Sequence, residues 1–151
     1  PEPLRPVLTI VGDGVERMHL EEVAKQYFPQ TRFTGELSGE PLDIEFDQAD
    51  LFVMPGTGGL ALQQALAHGL PVITGISDGT QTDLVRAGNG WILKGESLDE
   101  LSATLQTALE EPGNLREMGK RGFQIVKNEV NLEGMVSAFQ RAIDYSLRQR
   151  R

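Results

Sequence analysis

The sequence has no cysteine, two histidines and a single tryptophan in 151 residues. Without cysteine there is no disulfide, no thiolate nucleophile and no Cys-ligated metal, which suits a reducing compartment. The histidines, His19 and His68, fall on different expected helices and have no metal-type spacing to acidic residues. The G-x-S-x-G pattern of a serine nucleophile is missing. No apolar run approaches the roughly 20 residues that span a bilayer, and no secretory pattern opens the chain. Positive charge is scarce: 14 Lys and Arg against 22 Asp and Glu leave a net charge of −8. That balance argues against nucleic acid as a partner. The basic end, Arg148, Arg150 and Arg151, reads as cations near a helix C-terminus. A chain this acidic that held a phosphate would need local dipoles or a cation from elsewhere.

What is present is an alternation of apolar strands and helices. The length suits one domain of common size with a real core. The chain begins with Pro1 rather than Met, so a piece of a longer protein is expected. The most informative stretch is Leu51–Gly75, LFVMPGTGGLALQQALAHGLPVITG. It reads as a buried-type strand, a glycine loop at Pro55–Gly59, a helix over Leu60–Ala67, a Gly-x-Pro turn and a strand over Pro71–Thr74. Backbone N–H groups at a helix start have no intrahelical partner, and the macrodipole adds partial positive charge there. Glycines let an anion approach that backbone closely. The unit is built either as a phosphate site or as a tight strand-to-helix connection.

Around it, strands are expected at Val7–Val11, Thr31–Thr34, Leu51–Met54 and Trp91–Leu93. Helices are expected over about Glu16–Tyr27, Leu42–Gln48 and Thr82–Ala87. Ser97 begins a helix to about Glu110, with Glu100 three residues on as a capping box. Beyond Pro112-Gly113 the chain reads as helical to its end, with a break near Val130-Asn131. Strands alternating with helices mean parallel βαβ units and an α/β layered fold.

Several positions keep two readings. Gly12-Asp13-Gly14 follows a strand and opens a helix, but the third glycine of a dinucleotide fingerprint is replaced by Arg17. Nicotinamide binding is therefore not expected, and the segment is either a tight turn or a ligand contact. His68 is read as serving the last carbonyls of its helix. Asp78 follows the fourth strand, where open α/β sheets place ligands, or it stabilises a turn. Gln63 and Gln64 either face solvent or, near a nucleotide, bond sugar hydroxyls.

The order of the pieces resembles the donor-nucleotide half of a family 4 (group 1) glycosyltransferase of the GT-B architecture. The matching residues are Leu8–Gly12 with Gly14, Phe33-Thr34-Gly35, Ala49–Pro55, Gly59-Leu60, Ala65, Ala67–Ile73, Asp83–Val85 and Asn89-Gly90. The match runs over about residues 7 to 95. The resemblance implies a Rossmann-like three-layer parallel sheet of about five strands, order 2-1-3-4-5, with C-terminal helices. The order follows if a doubly wound 3-2-1-4-5-6 sheet loses its first strand and the gap closes. It implies that Gly58, Gly59 and Leu60 hold the donor diphosphate. Gln64 would hold the ribose, and Gly35, Glu36 and Leu37 would lie near the base. Gly12, Gly14 and Asp78 would line the rest of the cleft.

The family's glutamate pair departs here, with Gln64 in place of the second and Gly56 at the first. The family's usual first strand, carrying an Arg and a Lys for the diphosphate, is absent, as is the acceptor domain. The expected division is a partial donor domain over residues 1–130 and a helix over 131–151 that would cross to the acceptor domain. The expected function is the nucleotide-sugar-binding part of a glycosyltransferase, inactive alone and cytoplasmic, with no cofactor or metal. Its partners would be the nucleotide-sugar donor and the parent's N-terminal domain, and any membrane-surface association would come through that absent domain. The alternatives are a non-catalytic flavodoxin-like binding or regulatory domain and half of a sugar-nucleotide epimerase.

Overall fold

Short runs of three or four residues make the strands of the computed structural model, which describes residues 6–56, 59–76 and 79–149. The chain divides into two units, Pro1–Gln48 and Ala49–Arg151. In the first unit, β1 (Thr9–Val11) pairs in parallel with β2 (Arg32–Gly35), connected through α1 (Arg17–Tyr27); α2 (Glu40–Gln48) follows. The ladder slips between Ile10 and Val11, and the Gly12 N–H then bonds the Gly35 carbonyl at 2.8 Å. Both glycines have positive φ, 132° and 78°, a region side chains disfavour. This unit has a thin interior. Helix α1 buries none of its residues, and Phe46 is the buried residue of α2. Arg32 forks both carboxylate oxygens of Glu45, with Nη1–Oε1 at 2.7 Å, and so ties β2 to α2.

The second unit carries the core. Strands β3 (Phe52–Met54), β4 (Val72–Thr74) and β5 (Gly90–Ile92) form a parallel sheet in that order, with Phe52, Val53 and Met54 opposite Val72, Ile73 and Thr74. Strand β4 lies in the middle and is fully buried, as the unbroken apolar run of a central parallel strand requires. Helix α3 (Leu60–Ala67) buries Leu62, Ala65 and Leu66, spaced by three and one residues along one face. It ends in a Schellman motif. Gly69, at φ 72°, bonds the Leu66 carbonyl, and the Leu70 N–H reaches the Ala65 carbonyl, both at 3.0 Å. His68 is the C-cap residue, and its backbone N–H bonds the Gln64 carbonyl.

Helices α4 (Thr80–Leu84), α5 (Leu98–Glu110), α6 (Pro112–Glu129) and α7 (Leu132–Gln149) complete the unit. The α6 face carrying Gly119 and Gly122 lies directly on α3. A Cβ at Gly119 would stand 1.8 Å from the Gly69 carbonyl oxygen, and one at Gly122 would stand 2.7 Å from Leu66. Ile73, Leu93, Ala108 and Leu115 close the other side of the core.

The strands are parallel and the class is α/β, as expected. Of the expected order 2-1-3-4-5, the neighbours 2-1 are seen within the first unit and the neighbours 3-4-5 within the second. The capping box at Ser97 is altered. Ser97 accepts from the Glu100 N–H, but the Glu100 carboxylate reaches past Ser97 to the Lys94 N–H, at 3.0 and 3.1 Å.

Candidate functional site

Adjacent parallel strands deliver their following loops to the same edge of a sheet. Here β3 and β4 bring Pro55 and Gly75, which follow them, side by side. The Gly75 N–H bonds the Met54 carbonyl at 3.2 Å, and a Cβ on Gly75 would stand 2.0 Å from the Pro55 carbonyl oxygen. Only glycine allows that approach.

From the first of these segments α3 starts at Gly59, with φ 153° and ψ −138°. A glycine N-cap offers no side-chain acceptor, and Gly59 makes no cap bond of that kind. Its carbonyl accepts from the Leu62 and Gln63 N–H groups at 3.1 and 3.3 Å, which closes the first turn. The N–H groups just ahead of these have no intrahelical partner. Space around Gly59 is open, with nothing within 4 Å of a Cβ placed there, and Leu60 is 85% exposed. An accessible helix start with positive dipole and no internal cap is a chemical fit for an anion. On the neighbouring segment, Gln81 is buried, and its Oε1 accepts the Gly79 N–H at 3.1 Å, which fixes the entry to α4.

The expected diphosphate residues Gly59 and Leu60 therefore lie at this edge, and Gln64 lies one turn into α3. Gly58 and Asp78 lie outside the described residues. Gly12, Gly14, Gly35, Glu36 and Leu37 belong to the first unit. There Gly35 is buried at the end of β2, Glu36 is exposed and Leu37 is half-buried. The Gly14 N–H bonds the Asp13 carboxylate at 2.8 Å, which is the turn role. Arg17, in place of the third fingerprint glycine, pairs with Asp13 at 3.0 Å and Glu21 at 2.9 Å, and these carboxylates hold its proton more tightly than usual.

The sequence reading missed several polar residues. Gln63 does not merely face solvent: its Nε2 donates to the Val130 carbonyl at 3.2 Å. Asn89 is more than a turn residue. It is buried, its Oδ1 accepts the Arg86 N–H at 2.7 Å, and its Nδ2 donates to the Leu84 carbonyl at 2.9 Å. Arg86 forks Glu129 at 2.9 and 2.6 Å, and that ion pair holds the Glu129 carboxyl below its ordinary range. Local spacing carries no signal for partners 43 and 67 residues apart. Among the described residues no cluster of three or more His, Asp or Glu has the arrangement of a metal site. No helix among them is long and apolar enough to cross a membrane.

Parallel strands alternating with helices, and a glycine-capped helix starting at the carboxyl edge of β3, define a Rossmann-like α/β protein. The chain belongs to the glycosyl transferases group 1 family, whose model matches residues 4–125. It is 31% identical over 138 residues to a GDP-mannose-dependent monoacylated alpha-(1-6)-phosphatidylinositol monomannoside mannosyltransferase of Corynebacterium glutamicum, covering 85% of this chain and 36% of that protein. It is 43% identical over 81 residues to a GDP-mannose-dependent alpha-mannosyltransferase of Mycolicibacterium smegmatis, covering 52% of this chain and 20% of that one. Its fold is similar to that of a sucrose-phosphate synthase from Thermosynechococcus elongatus, with a TM-score of 0.76 at 23% identity over 95% of this chain and 38% of the other. It is also similar to Anabaena HepE in complex with UDP, with a TM-score of 0.72 at 17% identity over 91% of this chain and 40% of that one. The chain thus spans about a third of the first curated relative's length.

Proposed function

We propose that this chain is the donor-binding side of a nucleotide-sugar glycosyltransferase, and that its parent uses GDP-mannose. The observation that carries the reading is the start of α3 at Gly59, which has no side-chain cap and open space among the described residues. The family match and the two GDP-mannose-dependent relatives support it.

In such a reaction the sugar–phosphate bond breaks and negative charge grows on the departing diphosphate. Preorganised N–H dipoles aimed at that charge stabilise the transition state. Gly58 and Gly59 would supply them, with Leu60 at the first helical position. Gln64 would bond a ribose hydroxyl, and Gly35, Glu36 and Leu37 would line the base. Gly12, Gly14 and Asp78 would complete the cleft wall. A wall of this kind binds but does not by itself orient two reactants, which supplies much of the rate. The chain alone is therefore expected to transfer no sugar. Its partners are the donor and an acceptor-binding domain of the parent, and its place is the cytoplasm. No resident cofactor is proposed.

A panel of GDP, UDP, ADP and their sugar conjugates, read by ligand-observed NMR on the full-length parent, tests this. The expected result is binding of GDP and GDP-mannose ahead of the others. Binding of none would contradict the donor reading, and a preference for UDP would correct the base.

A further inference from the structure

The polar residue that the donor chemistry leaves unused is Gln63. It is the fourth residue of α3, half-buried, with Gly59 on one side and the end of α6 on the other. Its backbone N–H bonds the Gly59 carbonyl at 3.3 Å, and its side chain donates to the Val130 carbonyl at 3.2 Å. One residue thus bridges the glycine that opens the candidate diphosphate helix and the residue that ends α6.

That far end is a built elbow. The Val130 N–H completes α6 by bonding the Val126 carbonyl at 3.2 Å. The Asn131 side chain then serves both helices. Its Nδ2 donates to the Lys127 carbonyl of α6 at 2.6 Å, and its Oδ1 accepts the Gly134 N–H of α7 at 2.7 Å. The last carbonyls of one helix and the first N–H groups of the next are satisfied by one amide. A second tie holds the same end, where Glu129 meets the Arg86 guanidinium that follows α4.

Helix α6 cannot slide to relieve these bonds. It runs antiparallel along α3, with Gly119 against Gly69, Gly122 against Leu66 and Val130 against Gln63. The two glycines put backbone and side chain of α3 at contact distance, so a shift along the axis meets hard atoms.

We propose that Gln63 is a positioning residue that sets the start of α3 and the α6–α7 elbow together, so that Gly59 and the first turn of α3 keep their donor-binding geometry only while the elbow is latched. This rests on the reading of α3 as the diphosphate helix. Gln63 touches no substrate in this account; it acts through Gly59.

The test uses the full-length parent with Gln63→Leu, which removes the donor group, and Gln63→Lys, whose ammonium can reach the same carbonyl. Gln63→Glu keeps the shape without the donor and carries the test if the Leu variant does not fold. GDP affinity is measured by calorimetry, and amide hydrogen exchange is followed without nucleotide. The expected result for Gln63→Leu or Gln63→Glu is GDP binding weakened about 2- to 10-fold, the span of one hydrogen bond. Exchange should quicken at both Leu60–Leu62 and Val130–Met135, and Gln63→Lys should restore both. Faster exchange at the elbow alone, with GDP affinity unchanged, would overturn the proposal. So would an equal loss in Gln63→Lys. A wild-type parent that binds no nucleotide would overturn the donor reading instead, and the exchange data would still decide whether the elbow and Gly59 are coupled.

Discussion

At the scale of single residues, position matters more than type. Gly113 and Gly119 both lie in α6, yet they face opposite constraints. A Cβ at Gly113 meets nothing within 4 Å, whereas one at Gly119 would stand 1.8 Å from a backbone oxygen that has no rotamer to escape through. Replacing a helical glycine by alanine gains up to about 1 kcal/mol of propensity. Overpacking a tight contact costs about 1–3 kcal/mol. Gly113→Ala should therefore raise the urea midpoint, and Gly119→Ala should lower it. A Gly119→Ala protein as stable as the parent would show that α6 can lift from α3 freely. The proposed donor site makes a second pair. Gly59→Asp adds negative charge at the helix start and a side chain at a φ that disfavours one. Gln64→Ala removes about one hydrogen bond, roughly 0.5–1.5 kcal/mol. In the full-length parent, donor use should be abolished by the first and reduced no more than about tenfold by the second. Normal donor kinetics in Gly59→Asp would make the loop a plain connection.

At the scale of elements, α7 is the clearest case. Leu132, Met135, Val136, Phe139, Ala142, Ile143 and Leu147 recur at helical spacing, and the helix forms. The stripe, in a helix that would cross to an acceptor domain, predicts local packing over Leu132–Val136 and less burial beyond about Phe139. In the structure no residue of α7 is buried, and Leu132, Met135 and Val136 are 66%, 52% and 45% exposed. Periodicity identifies an apolar face; it does not say what covers that face. With none of its residues buried, α7 gains little from packing, and helices so placed are marginal. Its amides from Phe139 to Leu147 should exchange much faster than those of Ile73 and Thr74 in this chain as a monomer. Equal protection would show that α7 packs on its own domain.

The same limit governs what else was legible. The β3–loop–α3–β4 sequence could be read almost residue by residue, because strand, glycine loop and helix each carry a local signal. The extent of α3, Leu60–Ala67, is as expected. The roles of Gln63 and Asn89 were not legible, since each depends on a carbonyl that the fold, not the spacing, brings near.

The first unit offers a pH test. Its interior is thin, and the Arg32 guanidinium beside Glu45 holds that carboxyl below the usual range, chiefly through their hydrogen bonds. A depressed carboxyl adds stability that is present above its unfolded pKa, about 4.3. That stability is lost as pH falls through the lower folded value. Exchange across Arg32–Gln48 should therefore quicken below about pH 4, and Glu45→Gln should flatten that response. An unchanged pH response in Glu45→Gln would remove the pair from the account.

At the scale of the whole molecule, the chain is much shorter than the relatives it matches. It belongs to the group 1 glycosyl transferases and spans 36% of the first curated relative. On the proposed function, two of its features would suit an anionic leaving group despite a net charge of −8. One is the dipole of α3, and the other is the glycine at its start, which would let a phosphate reach the backbone. Both act over short distances, so they do not need a basic surface. The most direct test is a titration of GDP-mannose into the isotope-labelled full-length parent, with the isolated chain alongside. The account predicts that the amides of Gly59, Leu60 and Ala61 shift most in the parent, and that the isolated chain binds more weakly than roughly 1 mM, about −4 kcal/mol. Tight binding that leaves those three amides unmoved would contradict it.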